Sequence, residues 1–549
     1  MLQSIILVYM SIFKKNYFLF CCLFLICGLY SAHLGLDNNV EYQQYHYFSG
    51  YSFATFRYEN DFAPCGIQSY FNPLCDWLYY SLSKVLNDFP DLFCFLQGFW
   101  GALLMFWVFK IADLIFKGNR YLKGFSLFIA LLIPITSFMF NHALGTMLVD
   151  MQICFLPAAG VYLTLKAFKE NEFSPKTFLL TGALFGAATG LKLTMASYAL
   201  AMCIILGLYF KKIKNPIKII GMYILGGMLG FAVTGGFWSI FLYKMFQNPF
   251  FPNWNNIFKS EWTLPISYAY EGFFPKNFKE ALIYPFIWWK ARVLPFDVYD
   301  FRWMTVYVLG IFSAAFPILK DKIRLFTKAD ETIDCNLYGI FLAFVGITYI
   351  IWLKVFAVLR FLALIDAFGG IIIVAGIVGF CSLINQKKLS VLILCGICFW
   401  FYKTTICLNF FWRNVGNEKI FEFEDMKIPD GSIVFTGGLG ASLAAVSQNP
   451  NVHFFGLYTD SITPFYYSEK AKQKAAEMIE NADGKLYVLQ ATEPWDDMGD
   501  AYDAKFLTDL STCKVIPNNQ NLTYGLCRVK KREPVPWEPE QRVETEQKS

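Results

Sequence analysis

The sequence predicts an α-helical polytopic membrane protein of about eleven spans, with a small C-terminal α/β domain outside the bilayer. Three observations lead there. The 549-residue chain is 56% hydrophobic and 19% aromatic but only 16% charged, with a mean hydropathy of +0.41, a balance that soluble globular domains do not reach. Apolar runs of roughly 17 to 25 residues, the length that crosses a hydrocarbon core about 30 Å thick, recur from Tyr17 to Phe411. Past Phe411 the chain turns polar, and short apolar runs alternate with helix-like stretches.

The apolar runs lie at 17–36, 93–112, 122–141, 144–165, 177–191, 194–210, 217–243, 302–319, 337–353, 361–384 and 389–411. Each is expected to be helical, because backbone groups facing lipid find partners only within their own segment. The runs 177–191 and 194–210 also read as one broken hairpin. No small-residue cleavage pattern follows the first run before His33, so it reads as a retained helix. Lys14 and Lys15 precede it, and the loops at 110–123, 166–176, 211–218 and 320–328 are basic, as are Lys387 and Lys388. Basic loops resist translocation, which predicts a cytoplasmic N-terminus and an extracytoplasmic C-terminal domain. Residues 37–92 carry only Arg57 and Lys84 against seven acids, and so belong outside. This loop bias accounts for the net charge of +5, and no nucleic-acid partner is needed.

The expected organisation is a transmembrane domain over 1–411 that includes outer loops 37–92 and 245–301, an extracytoplasmic α/β domain over 412–531, and a disordered charged tail over 532–549. In the second of these, strands are predicted at 432–436, 452–457 and 485–490, with helices at 441–447 and 468–482, the rhythm of βαβ units. Ser468 is a candidate N-cap. The glycines of TGGLGAS (436–442) match neither GxGxxG nor a P-loop and read as a tight turn. Most of the 15 cysteines lie inside spans. Cys65 with Cys75, and Cys513 with Cys527, fall in the outer segments, where each pair is either a disulfide or two thiols.

The stretch YENDFAPCGIQSYFNPLCDW (58–77) holds three carboxylates, Glu59, Asp61 and Asp76. In an extended segment Glu59 and Asp61 point the same way. A carboxylate beside a membrane surface, flanked by Phe62 and Pro64, is partly desolvated and so moved toward the range of a general base; a solvated structural acid is the alternative. From Asn72 the pattern predicts a helix whose apolar face (Leu74, Trp77, Leu78, Leu82, Val85 and Leu86) lies on the membrane, with Asp76 on its polar side. Lys192 in GAATGLKLTMAS and Arg360 in KVFAVLRFLALID are charges at the ends of spans, where they snorkel or serve a function. With Arg292 and Arg302 in KARVLPFDVYDFR, and with His142 in FNHALG, they are candidates to grip a phosphate head group. No metal-ligand spacing stands out among the four histidines, and no cofactor is required; a divalent metal held by loop carboxylates is possible.

DFAPCGIQSYFNPLCD, TGLKLT, NPFFPNWNNIFKS (248–260) and LRFLALID resemble a group of bacterial multipass proteins of the GT-C glycosyltransferase type, also described as mannosyltransferase-like or family 87-like. The resemblance covers most of 17–411. It implies a hexosyltransferase of the cell inner (plasma) membrane that moves a sugar, with inversion, from a polyprenyl-phosphate donor to a glycan, lipid or protein acceptor. It implies a first-loop acid as general base, a position that Asp61 matches, with Glu59 or Asp76 as alternatives. Lys192, Arg292, Arg302, Arg360 and His142 would then meet the leaving phosphate. Trp254 and Trp262 would stack on sugars or anchor the interface. The rivals are a transporter or flippase for a lipid-linked saccharide and a non-catalytic assembly protein.

Overall fold

The computed structural model describes residues 2–266, 271–288, 292–294, 297–405, 413–437, 440–458, 468–480, 485–491, 506–508, 513–520 and 523–531. The chain divides into two compact units: a membrane unit of residues 1–36, 91–237 and 269–411, and a mixed unit of residues 37–90, 238–268 and 412–549. The expected tail at 532–549, and Gly438 and Leu439 of TGGLGAS, lie outside the described residues.

The protein is a multipass helical membrane protein. Seven described helices are long and apolar enough to cross a bilayer: Lys15–Leu34, Pro90–Ile115, Val149–Glu170, Pro216–Phe246, Arg302–Leu319, Cys335–Val355 and Leu359–Leu383. The other four predicted runs are also helical: Arg120–Ile135, Pro175–Leu191 and Ala196–Leu208 are shorter, and Lys387–Thr404, at 18 residues, carries three lysines. The run expected to continue to residue 141 breaks after Ile135 for a local reason. Pro134 has no N–H to give to the preceding turn, and Ser137 then caps a new short helix, Phe138–Ala143, by accepting from the Phe140 N–H at 3.0 Å.

Inside the membrane unit, two helices meet backbone to backbone. Gly182, Gly186 and Gly190 recur every fourth residue and so share one face of Pro175–Leu191. They meet Pro216–Phe231, whose Gly226 and Gly230 face back. A Cβ on Gly186 would stand 2.0 Å from the Gly227 carbonyl oxygen, and one on Gly230 would stand 2.1 Å from that of Ala183. Where lipid is as apolar as leucine, such close van der Waals approach is what holds helices together. Gly186→Val is therefore expected to destabilise by more than about 3 kcal/mol, because backbone cannot retreat as a side chain can. Gly207→Ala, where nothing lies within 4 Å, should leave the thermal midpoint of the detergent-purified protein unchanged.

The mixed unit is built on a sheet of strands β1 (Ile433–Gly437), β2 (His453–Tyr458), β3 (Leu486–Gln490), β4 (Phe506–Thr508), β5 (Lys514–Ile516) and β6 (Tyr524–Lys531). β1 lies between β2 and β3 and is parallel to both; β6 is antiparallel to β3 and pairs on its other side with β4 and β5. The three predicted strands sit within one residue of β1, β2 and β3. Helix Glu469–Glu480 follows Ser468, whose hydroxyl accepts from the Ala471 N–H at 3.3 Å. Cys513 and Cys527 are disulfide-bonded, whereas Cys65 and Cys75 are separate thiols, Cys65 buried and pushed by that burial up to about 12.

Of the outer loops expected to go with the membrane domain, residues 37–90 and 245–268 fold with the sheet, whereas 269–301 belong to the membrane unit. The cause is a shared apolar core. Phe62, Ile67 and Tyr70 pack with Trp238, Phe246 and Phe251, and with Phe435, Phe455 and Val488 of the sheet. Phe62 also joins the edge of β2: its N–H donates to the Phe454 carbonyl at 2.9 Å, and its carbonyl accepts from the Gly456 N–H at 3.0 Å. The asparagines of NPFFPNWNNIFKS are loop ties. Buried Asn255 donates to the carbonyls of Ser260, Thr263 and Leu264 at 2.9 to 3.1 Å.

Candidate functional site

In the membrane unit the chain leaves helix Pro175–Leu191 at Lys192 in an extended conformation, with φ of −150°. Its ammonium lies 2.7 Å from Oδ2 of Asp150, an acid in the first turn of Val149–Ile153 that no sequence pattern singled out. The Asp150 side chain is 2% exposed and that of Lys192 20%; the second carboxylate oxygen, Oδ1, has no hydrogen-bond partner. Arg360 stands in the turn Leu359–Leu362 that opens helix Ala363–Leu383. Its guanidinium carbon and the Lys192 ammonium each lie 5.2 Å from the centroid of the Phe361 ring. The Tyr198 hydroxyl fixes that residue by donating to its carbonyl at 2.7 Å. The Leu359 N–H donates to the Val293 carbonyl at 2.9 Å, which brings the Arg292 segment beside Arg360. Three of the predicted cations thus share one neighbourhood, with the Arg292 guanidinium bonded to Glu280.

Arg302 belongs elsewhere. Its Nη1 donates to Asp300 at 2.7 Å and to Thr405 at 2.8 Å, and its Nη2 to the carbonyl and hydroxyl of Thr136 at 2.7 and 2.9 Å. With both terminal nitrogens doubly engaged and Nε left without a hydrogen-bond partner, it ties helix ends together. Asp300 in turn accepts from the Phe138 N–H at 2.8 Å, and the predicted His142 stacks on the Phe138 ring at 5.6 Å. Asp366, in the quoted LRFLALID, accepts from Ser137 at 2.6 Å.

The three loop acids lie in the mixed unit, in three different settings. Arg57–Glu59 is a 3₁₀ turn, so Glu59 is exposed while Asp61 is buried; the expected extended pairing of the two is corrected. Asp61 accepts from Nε and Nη2 of Arg57 at 2.6 and 2.7 Å, and from the Phe454 N–H at 2.9 Å. Arg57 also donates to the carbonyls of Pro450 and Val452. Burial pushes the Asp61 carboxyl above the ordinary carboxylate range against the pull of Arg57. For Arg57 burial works against the charge, and the bonds to Asp61 more than offset it, so its pKa rises. Together the pair clamps this loop onto β2.

Asp76 opens helix Leu74–Val85, where Asn72 accepts from the Leu74 N–H at 3.0 Å. It does not face solvent on the polar side of a surface helix, as expected; the helix buries Asp76, Tyr79, Tyr80 and Ser83 and exposes Trp77 and Val85. Oδ1 of Asp76 lies 2.7 Å from Nδ1 of His46, a residue that the sequence reading passed over because a single histidine carries no pattern. Trp262 packs against Phe62 and Phe246, whereas Trp254 is exposed beside Phe250. Among the described residues no group of three or more His, Cys, Asp or Glu side chains is placed to hold a metal ion.

No family model matches the chain, and no curated protein matches it. Among solved structures it is similar to ArnT from Cupriavidus metallidurans. The structure bound to undecaprenyl phosphate has 11% identity and a TM-score of 0.43, over 93% of this chain and 97% of that one. The apo structure has 9% identity and a TM-score of 0.41, over 93% and 98%. At these values the likeness carries no argument about activity.

Proposed function

We propose that the protein is a GT-C-type glycosyltransferase of the cell inner membrane, moving a sugar from a polyprenyl-phosphate donor to an extracytoplasmic glycan, lipid or protein acceptor with inversion. The observation that carries this reading is the pairing of Lys192 and Arg360 about the Phe361 ring, with a buried carboxylate beside them. Two cations rooted at helix ends suit a phosphate: Arg offers a planar fork, Lys a compact charge, and both act in surroundings where charge is weakly screened. In the reaction an acceptor hydroxyl gives its proton to a general base, and its oxygen bonds to the anomeric carbon. The bond from that carbon to the phosphate oxygen breaks, and the electron pair leaves with the phosphate, whose charge Lys192 and Arg360 stabilise.

The test uses the full chain in nanodiscs with radiolabelled undecaprenyl-phospho-hexoses. Release of undecaprenyl phosphate is expected from the wild type, about 100-fold slower in Arg360→Met. Binding of undecaprenyl phosphate without turnover of any donor favours the transporter reading; absence of both ends the proposal.

A further inference from the structure

We propose that the turn joining helices Ala196–Leu208 and Pro216–Phe231 binds the headgroup of a phospholipid with two phosphates, a site that does not rest on the transferase reading. The turn and the residues just after it, YFKKIKNPIK (209–218), hold Lys211, Lys212, Lys214 and Lys218, all exposed. No acid occurs in the sequence between Glu172 and Glu261. Lysines elsewhere in the membrane unit have carboxylates: Lys117 lies 3.2 Å from Asp330 and 3.3 Å from Asp334, and Lys123 lies 2.7 Å from Asp113. Among the described residues, no carboxylate pairs with any of these four. Lys212 leans on the Tyr209 ring instead, at 5.4 Å. The adjoining turn, whose Phe168 meets the Tyr209 ring at 5.5 Å, keeps its Glu170 with Lys166 at 3.9 Å.

Chain position divides the four lysines. Lys211 and Lys212 follow the C-terminal end of Ala196–Leu208, where unpaired carbonyls favour positive charge. Lys214 and Lys218 flank the N-terminus of Pro216–Phe231, where the helix dipole is already positive and a cation is unfavourable. That helix has no acid in its first turn, and Asn215 gives it no side-chain cap. A phosphate at this end answers the helix N–H groups and both ammoniums together. Buried Ile213 separates the two lysine pairs, which suits a headgroup with one phosphate for each.

The surroundings make the anion a lipid. The turn opens the span Pro216–Phe246, so its lysines stand at headgroup level. Tyr223 donates to the Ala199 carbonyl at 2.8 Å and holds the two helices side by side. Their outward faces are apolar and exposed, with Leu200, Ile204 and Leu208 on one and Ile217, Ile224 and Met228 on the other. Leu208 and Ile217, nearest the turn, are 66% and 78% exposed. From Ile217 to Met228 the stripe runs roughly 16 Å along the helix, close to one leaflet of a hydrocarbon core about 30 Å thick. A soluble phosphate would use the lysines and leave both stripes bare, whereas acyl chains cover them.

The test uses the full chain purified in detergent, with lipid binding followed by native mass spectrometry. Diphosphatidylglycerol is expected to bind at least about tenfold more tightly than phosphatidylcholine, and more tightly than phosphatidylglycerol, with affinity falling as salt rises. Lys214→Gln/Lys218→Gln should weaken diphosphatidylglycerol by about fivefold for each lysine removed, without lowering the thermal midpoint in phosphatidylcholine nanodiscs. Lys214→Arg/Lys218→Arg should bind as the wild type does. Lys387→Gln, which removes a lysine bonded to Glu331 in another loop, should change nothing. An equal loss in Lys387→Gln would mean diffuse attraction and overturns the site. Equal affinity for phosphatidylglycerol overturns the two-phosphate assignment, and displacement by inorganic phosphate overturns the lipid. Should the glutamine variant fail to fold, the wild type still decides. A diphosphatidylglycerol with a diazirine in its acyl chain is expected to label residues 200–228, and labelling spread over every lipid-facing span overturns the proposal.

Discussion

Lys192→Ala is expected to reduce transfer from a polyprenyl-phosphate donor by at least about 100-fold and to lower the thermal midpoint at the same time. The second effect comes from Asp150. Its carboxylate is almost wholly buried and lies 2.7 Å from the Lys192 ammonium, its charge partner among the described residues. Removing that ammonium leaves a buried charge uncompensated, at a cost of about 3–5 kcal/mol. The two effects separate in the double variant Lys192→Ala/Asp150→Asn. A neutral amide needs no counter-ion, so stability should return, but the leaving phosphate still lacks its cation and transfer should stay low. Calorimetry in detergent and the nanodisc transfer assay read the two quantities independently. Recovery of both would mean that Lys192 serves only to neutralise Asp150.

Asp61→Asn is expected to act on folding rather than on chemistry. Both Asp61 oxygens are bonded, three hydrogen bonds in all, and Arg57 carries two further bonds to the carbonyls of Pro450 and Val452. Neutralising the acid strands a buried guanidinium, at a cost of about 3–5 kcal/mol. The mixed unit should then open to protease within 37–90 at temperatures the wild type withstands. Replacing both partners by apolar residues, Arg57→Met with Asp61→Leu, should recover part of the loss, since two neutral side chains have no desolvation to compensate. A stable Asp61→Asn protein that has lost only transfer would return Asp61 to the role of base.

The membrane runs and three strands were legible because each is a local pattern: some twenty apolar residues, or a short apolar run of five or six. The residues around Asp61 were half legible. Arg57 stands four positions before it, a spacing that forms an ion pair in one helical turn, but attention to the acid pair Glu59 and Asp61 assumed an extended chain. His46 offered no such cue, because its partner lies 30 residues away and the π turn that aims it has no composition signature. Asp150 was missed for a related reason: it sits in an apolar stretch, and only the fold reveals that Lys192 is its counter-charge. The grouping of 37–90 with the sheet depends on contacts spanning nearly the whole sequence, which no window of residues contains.

The edge that Phe62 completes on β2 has a consequence for biogenesis. Asp61 and its bonding partner Phe454 are 393 positions apart. At a synthesis rate of about 5 to 20 residues per second, the first segment waits roughly 20 to 80 s for its strand to emerge. During that interval its clamp residues and aromatic side chains have no sheet to cover them. A ribosome that stalls or terminates before residue 450 would release a chain whose early hydrophilic stretch is a substrate for chaperones and proteases, however well its helices are inserted.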